Sequence, residues 1–174
     1  MFHVIRPERR KDHEAIFKIN ESAFGRPHEA LLVDALRRSP AFIPRLSLVA
    51  LESRQVVGHI LFTAVEVSTA TDSHPALTLA PMAVLPAFQR RGIGSSLVRR
   101  GLDDARELGH GVVIVVGHPG YYPRFGFVPA GPLGIRAPFE VSSVTFMALE
   151  LRPGALRGVR GEVRYPPEFA EVEG

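Results

Sequence analysis

The sequence contains no cysteine among its 174 residues. A disulfide framework, a cysteine-based metal site and a covalent acyl-cysteine intermediate are therefore excluded. There is also no apolar run of 18 residues and no signal-peptide pattern at the start, so no membrane span is predicted. His3, His13 and His28 fall in different predicted elements, and no metal site is expected. These features favour a cytoplasmic protein.

The sequence also has only a small excess of positive over negative charge. The 21 basic and 18 acidic residues leave a net charge of +3, which suits an anionic ligand without requiring nucleic acid. Hydrophobic residues make up 45% and charged residues 22%, as in average globular proteins. At this length we expect one domain over residues 1–174. The polar segment 153–174 is expected to form a partly ordered tail.

A glycine-bearing segment in the middle of the chain, residues 89–94, reads Gln-Arg-Arg-Gly-Ile-Gly. It separates an apolar run, 77–85, from an amphipathic stretch, 93–108. A strand, a short turn and a helix in this order make an anion site, because free backbone N–H groups and the helix dipole favour negative charge there. Cations are normally disfavoured at this end of a helix. Arg90 and Arg91 therefore indicate a bound polyanion.

Two common nucleotide motifs do not fit this segment. The phosphate loop of nucleotide hydrolases requires Lys-Ser or Lys-Thr after the second glycine, where this chain has Ser95 and Ser96. The dinucleotide fingerprint requires a third glycine where Leu97 stands. The pattern Gln-x-x-Gly-x-Gly after a strand resembles the acyl-CoA pyrophosphate loop of the GNAT N-acetyltransferases.

Strands and helices are predicted along the rest of the chain. Apolar spacing predicts helices over 10–24 and from 27 to about 38, and strands over 2–6, 46–52, 55–70 and 143–151. Gly58 predicts a bulge or a close backbone approach within its strand. Pro81 predicts disturbed pairing in strand 77–85, because proline cannot donate to a ladder.

The run 112–116, Val-Val-Ile-Val-Val, shows no alternation and predicts a strand buried on both faces. With the helix before it, this strand completes a right-handed parallel unit. The glycine segment then lies at the carboxyl end of its strand, where open α/β sheets bind ligands.

A second motif follows, since residues 117–127 read Gly-His-Pro-Gly-Tyr-Tyr-Pro-Arg-Phe-Gly-Phe. The order aromatic-Tyr-x-x-aromatic-Gly-Phe resembles the second GNAT motif. Both motifs together resemble a bacterial group of stand-alone GNAT proteins, from Ile5 to about Phe169. The resemblance implies an α/β (α+β) fold with a mixed, centrally splayed sheet flanked by helices. It also implies direct acetyl transfer from acetyl-CoA to an amine.

The resemblance assigns roles to residues of both motifs. Tyr122 matches the tyrosine that protonates the departing CoA thiolate, and a phenol with a reference pKa of about 10 is protonated at neutral pH. The alternative is that Tyr122 only packs on the cofactor, and Tyr121 is interpreted as structural. Backbone groups of Met82, Ala83 and Val84 are expected to contact the oxyanion and pantetheine. The pyrophosphate is assigned to Gln89, Arg90, Arg91, Gly92, Ile93, Gly94 and Ser95, although helix capping is the favoured role of the Ser95 hydroxyl.

The general base cannot be read from the sequence. The candidates are His59, Glu29 and His118, with Glu66, His74 and water as alternatives. His59 alternates with apolar neighbours on a strand, so a structural histidine explains it equally well. His118 precedes Pro119, where capping or loop packing is the simpler interpretation.

Two other functions compete with an enzyme. A non-catalytic CoA-binding or regulatory module would have the same cofactor motifs. A nucleic-acid binder could use the arginines at 90, 91, 99 and 100, but the acidic residues nearby and the lack of interleaved aromatics on that helix disfavour it. The acceptor stays open between a small molecule and a peptide or protein. A homodimer paired through strand 143–151 also stays open.

Overall fold

A computed structural model of the chain describes residues 3–171. The helices are α1 (His13–Phe24), α2 (His28–Leu36), α3 (Ile93–Glu107) and α4 (Glu168–Glu171). The strands are β1 (Val4–Pro7), β2 (Phe42–Glu52), β3 (Gln55–Ser68), β4 (Ser73–Val84), β5 (Val112–Val116), β6 (Val128–Pro129), β7 (Ile135–Arg136), β8 (Phe146–Glu150) and β9 (Gly161–Arg164).

Within these residues the strands form one nine-stranded sheet in the order β1-β2-β3-β4-β5-β8-β6, with β9 pairing β3 and β7. The β4–β5 and β7–β9 pairs are parallel and the other pairs antiparallel. The predicted mixed sheet is therefore confirmed.

Helices cover both faces of the sheet, because successive residues of β2 and β3 face opposite sides. Val49 and Leu61 pack with Ile16 of α1 and with Val33 and Leu36 of α2. Their neighbours in the two strands pack in the cluster beneath α3, which includes Leu48, Ile60, Phe62 and Leu97.

Strands β4 and β5 separate soon after they meet. They pair only at Leu77 with Val113 and at Thr78 with Ile114. The β3–β4 register then shifts between Ile60 and Phe62, close to Pro81, whose peptide bond with Ala80 is cis. The predicted disturbance at Pro81 is confirmed, and the sheet is open between β4 and β5 beyond this point.

Gly58 shows both of its predicted features. The β2–β3 register shifts between Ala50 and Leu51, next to Gly58. A Cβ at Gly58 would lie 3.0 Å from Leu97 Cδ1 and 3.2 Å from Ile93 Cγ2 of α3. The missing side chain therefore lets α3 lie directly on β3.

His59 faces away from α3, into a buried polar network beneath α1. It is fully buried, with Nε2 3.0 Å from Ser47 Oγ and Nδ1 3.4 Å from Asn20 Nδ2. Ser47 donates its hydroxyl proton to Glu8, which also contacts Arg37 at 2.7 Å. Burial, and then the charge of Arg37, lower the pKa of His59 to about 3. The side chain is thus a neutral, hydrogen-bonded part of the interior.

Several sequence predictions need correction. The helical spacing of Leu31, Leu32, Ala35 and Leu36 predicts one buried stripe on the second helix, but Leu31 is 47% exposed. Strand 143–151 is shorter, running from Phe146 to Glu150. It lies between β5 and β6, so Val128 and Pro129 occupy part of the edge through which a homodimer was left open.

The expected tail from residue 153 instead contains β9 and α4. Val163 of β9 pairs with Val67 of β3 and is buried with Ile135 and Val159. Burial of these apolar side chains holds the segment on the sheet. Phe2 and residues 172–174 lie outside the described residues.

The buried His59 predicts a loss of stability in acid. The unfolded state takes up a proton below its pKa of about 6.5, whereas the folded state resists protonation until about pH 3. Stability therefore falls as the pH falls between these values, by about 2 kcal/mol from about pH 7.5 to about pH 5. Urea unfolding of wild type and His59→Gln at both pH values measures this effect. An equal loss in the two proteins would contradict it.

A second stability prediction concerns Gly101 in the middle of α3. A methyl group there would overlap the ring of Phe62, which is fully buried. Gly101→Ala should therefore lower the free energy of unfolding by about 1–3 kcal/mol despite its better helix propensity. Gly131→Ala is the matched control, because a Cβ there meets nothing within 4 Å. Equal stability of both variants would show that Phe62 can move aside.

Candidate active site

A cleft of about 540 Å³ opens where β4 ends and α3 begins. This volume falls within the usual range for small-molecule and cofactor sites. Its walls come from the end of β4, the glycine segment, the second motif and the end of α1. The lining residues are Ala23, Phe24, Met82, Ala83, Val84, Phe88, Gln89, Arg90, Gly92, Ile93, Gly94, Ser95, Tyr121 and Arg124.

The glycine segment presents unused backbone donors to this cleft. Gly92 and Arg90 have left-handed φ angles of +82° and +65°, which turn the chain sharply into α3. The first helical hydrogen bond runs from Ser96 N to Gly92 O at 3.0 Å. The N–H groups of the residues between them have no partner within the helix and can bind an anion.

The two arginines of the glycine segment differ in direction. Arg90 lines the cleft as predicted. The Arg91 guanidinium lies over the Phe88 ring at 5.1 Å and 3.8 Å from Glu52 Oε1. The structure therefore does not bring Arg91 into the cleft lining, because an aromatic ring and a carboxylate hold its side chain elsewhere.

The side chain of Gln89 fixes the glycine segment to the strand before it. Its Nε2 donates to Val84 O at 2.9 Å. The next residue along β4, Leu85, donates its N–H to Val57 O of β3 at 2.9 Å. Because successive residues direct their backbone groups to opposite edges, Met82 and Val84 face the gap between β4 and β5. The backbone of Ala83 faces β3, where it pairs with His59.

Tyr122 is buried against Tyr121 of the cleft wall and is not itself among the residues that line the cleft. It is 8% exposed, and a Cβ on Gly117 would overlap its ring. The ring makes edge contacts with Tyr121 and Phe127, with centroids 5.1 and 5.6 Å apart. Burial, with a smaller contribution from Tyr121, raises the pKa of Tyr122 to about 12. The phenol is therefore protonated at neutral pH.

Tyr121 lies in the cleft wall, which the sequence interpretation did not anticipate. Its hydroxyl is 3.1 Å from Ser95 Oγ. Ser95 consequently does not cap α3, contrary to the role favoured from sequence, and the helix start has no side-chain cap. The pair joins the second motif to the first turn of α3.

None of the base candidates lines the cleft. His59 is enclosed in the network beneath α1. Glu29 accepts two hydrogen bonds from Arg26, at 3.0 and 2.8 Å. The Nδ1 atom of His118 accepts the N–H of Gly120 at 2.9 Å, as expected of a loop-packing role. Among residues 3–171, the lining includes no histidine, aspartate or glutamate.

Sequence reasoning missed the contribution of α1 to the cleft. Ala23 and Phe24 occupy the last turn of α1, before Gly25 ends it with a φ of +68°. Phe24 is 41% exposed, although helical spacing groups it with Ile16 and Ile19, which are buried. Only the packing of α1 against the sheet places it here.

The part of the chain that the structure describes has no cluster of three or more potential metal ligands. In the same residues, every helix is too short or too polar to cross a bilayer.

Comparison with known proteins agrees with this architecture. Residues 4–130 match the family model described as acetyltransferase (GNAT) domain. The uncharacterized N-acetyltransferase YjhQ of Escherichia coli K12 is 41% identical over 133 residues, which cover 76% of this chain and 74% of YjhQ. YhbS of the same strain, also uncharacterized, is 33% identical over 167 residues, or 95% and 98% of the two chains.

Two solved structures share the fold over nearly the whole chain. The crystal structure of E. coli YhbS in complex with CoA has a TM-score of 0.89 at 31% identity and covers 97% of this chain and 92% of YhbS. A GNAT acetyltransferase from Brucella melitensis in complex with acetyl-CoA has a TM-score of 0.79 at 34% identity, covering 97% and 98%. With a family model over most of its length and relatives matched almost end to end, this chain belongs to the GNAT N-acetyltransferases.

Proposed function

We propose that the protein transfers the acetyl group of acetyl-CoA directly to an amine of a small molecule, peptide or protein. The observation that carries this is the coincidence of three features at one gap. Strands β4 and β5 separate, the free N–H groups of α3 begin at the end of β4, and Tyr122 packs against Tyr121 of the cleft wall. The related structures that hold CoA and acetyl-CoA support the choice of cosubstrate.

The cleft fits the extended shape and charge of acetyl-CoA. The N–H groups of Ile93, Gly94 and Ser95, with the Arg90 side chain, would hold the pyrophosphate. A Cβ at Gly94 would lie 3.3 Å from the Met82 side chain and 3.4 Å from the Tyr121 hydroxyl. Glycine at this position therefore keeps the path into the gap open.

The exposed edge of β4 would bind the pantetheine arm as an added strand does. Backbone groups of Met82 and Val84 face the gap and can bond to its amides. The Val84 carbonyl is already used by Gln89, which leaves its N–H. A backbone donor on this edge is also suitably placed to stabilise the negative charge that develops on the thioester carbonyl oxygen.

The Tyr122 phenol would supply the proton that the departing thiolate needs. In a direct transfer, the C–N bond forms as the C–S bond breaks, and the attacking amine releases a proton. No base candidate lines the described cleft, so we assign that proton to solvent water. A proton from solvent then reprotonates the Tyr122 phenolate. The net reaction converts acetyl-CoA and an amine into an acetylated amide and free CoA.

The whole chain, residues 1–174, is proposed to act as one domain, because β9 completes the sheet at β3. We also propose a cytoplasmic location, where acetyl-CoA would be supplied by the cell's own metabolism. Strand β6 occupies part of the β8 edge through which two copies of the chain could pair.

The role of Tyr122 predicts a selective loss of turnover. Tyr122→Phe keeps the ring on Gly117 and removes the proton donor, so kcat should fall by about 10²–10⁴-fold with nearly unchanged affinity for acetyl-CoA. Release of free CoA in the presence of an amine panel measures this. Tyr165→Phe is the matched control, because burial also raises the pKa of Tyr165 to about 12 and Tyr165 lies outside the second motif. Unchanged turnover of Tyr122→Phe would remove the acid role.

Cofactor binding can be tested without knowing the acceptor. At about 100 times its dissociation constant, acetyl-CoA should stabilise the fold by roughly 2.7 kcal/mol and raise Tm by about 5 °C or more. Gly94→Val should abolish the shift by filling the cleft, whereas Gly131→Ala should retain it. Absence of a shift for the wild type would reject acetyl-CoA. A shift without turnover on any amine would favour a non-catalytic binding module.

A further inference from the structure

Arg99 of α3 and Arg124 of the second motif stack on neighbouring aromatic rings where these two elements meet. We propose that Arg99 and Arg124 bind the 3′-phosphate of the cofactor, a phosphate monoester carried by the same ribose as the pyrophosphate. This inference rests on the proposed use of acetyl-CoA. It adds a second anion site and predicts selection against nucleotides that lack this group.

Two side chains of α3 contact aromatic residues of the second motif. Ser95 bonds to the Tyr121 hydroxyl at 3.1 Å, and the Arg99 guanidinium lies 5.2 Å from the centroid of Phe125. Ser95 and Arg99 are four residues apart and so share one side of the helix. Arg99 therefore lies one turn, about 6 Å, beyond the first turn of α3 along the helix axis.

Arg124 lies on the second-motif side of this contact. Its guanidinium stacks 4.6 Å from the centroid of Tyr121, and its Nε donates to Tyr121 O at 3.0 Å. The rings that carry the two arginines are themselves in contact, with centroids of Tyr121 and Phe125 5.3 Å apart. The aromatic pair therefore links the two exposed arginines through an unbroken series of ring contacts.

The charge of these arginines is not neutralised by the described part of the chain. Arg100 and Arg106, on the same helix, pair with Asp104 at 3.1 Å and Asp103 at 2.9 Å. No ion pair with a carboxylate within residues 3–171 involves Arg99 or Arg124. A guanidinium stacked on a ring still presents its N–H edge, which suits a phosphate.

A phosphate monoester is the anion that best fits two such cations. It carries a charge of about −1.5 to −2 at neutral pH, and it would relieve the repulsion between the two guanidinium groups. The pyrophosphate is already served by the donors of the helix start and by Arg90. The monoester on the adjoining ribose is thus the cofactor group left for a site one turn further along α3.

The test compares acetyl-CoA with acetyl-3′-dephospho-CoA by isothermal titration calorimetry. The proteins are the wild type, Arg99→Gln, Arg124→Gln and the double variant. Arg100→Gln is the matched control, since it removes the same charge from the adjacent position on α3. The wild type should bind acetyl-CoA at least about tenfold tighter than the dephospho form, as expected for charge-assisted phosphate bonds.

Each single variant should reduce this preference, and the double variant should bring it close to one, while affinity for acetyl-3′-dephospho-CoA stays constant. Arg100→Gln should keep the wild-type ratio. Equal affinity of the wild type for both nucleotides would overturn the 3′-phosphate site and leave acetyl-CoA binding intact. Equal weakening of both nucleotides by the variants would also overturn it. Failure of the wild type to bind either nucleotide would overturn the proposed cofactor itself.

Discussion

The separation of β4 from β5 is the constraint on which the cleft depends. Two neighbouring residues of each strand hold the sheet together, at Leu77 and Thr78 of β4. Beyond them, backbone groups of Met82 and Val84 face an open gap. Backbone N–H and C=O groups strongly favour a hydrogen-bond partner. An extended ligand that carries amides could therefore bond to the unpaired groups on the open edge of β4.

Two consecutive residues of the neighbouring strand β3 contact helices on opposite faces of the sheet. Gly58 allows α3 to lie against the strand, which directs the helix start towards the end of β4. His59 faces the opposite side, where its polar contacts join the sheet to Asn20 of α1. The end of α1 in turn contributes Phe24 to the cleft. Two adjacent residues of β3 therefore contact the two helices, α3 and α1, whose ends line the cleft.

Features determined by local chemistry could be predicted from sequence. The glycine segment and the irregularity at Pro81 each follow from which backbone angles and hydrogen bonds a residue allows. The family resemblance then supplied the fold and the cofactor. Most residues assigned to the cofactor do line one cleft.

Features that depend on contacts between distant elements could not be predicted. Arg91 is held by Glu52 and Phe88, and Ser95 bonds to a tyrosine 26 residues away. Strand β9 is only four residues long and lies in a stretch rich in glycine, proline and arginine. Its one apolar side chain, Val163, is buried only because β9 pairs with β3 and β7, and no local sequence pattern reveals these pairings.

The position of β9 also affects how the protein can assemble during synthesis. Strand β2 pairs along β3 as far as Thr63, and β9 continues the same edge from Glu66 to Ser68. That stretch of edge is made early in translation, but its partner follows every other described strand in the chain. Until β9 emerges, the nascent protein exposes a short unpaired strand edge of the kind that promotes association between chains. Pairing of β9 with β3 therefore also covers the edge through which nascent chains could associate.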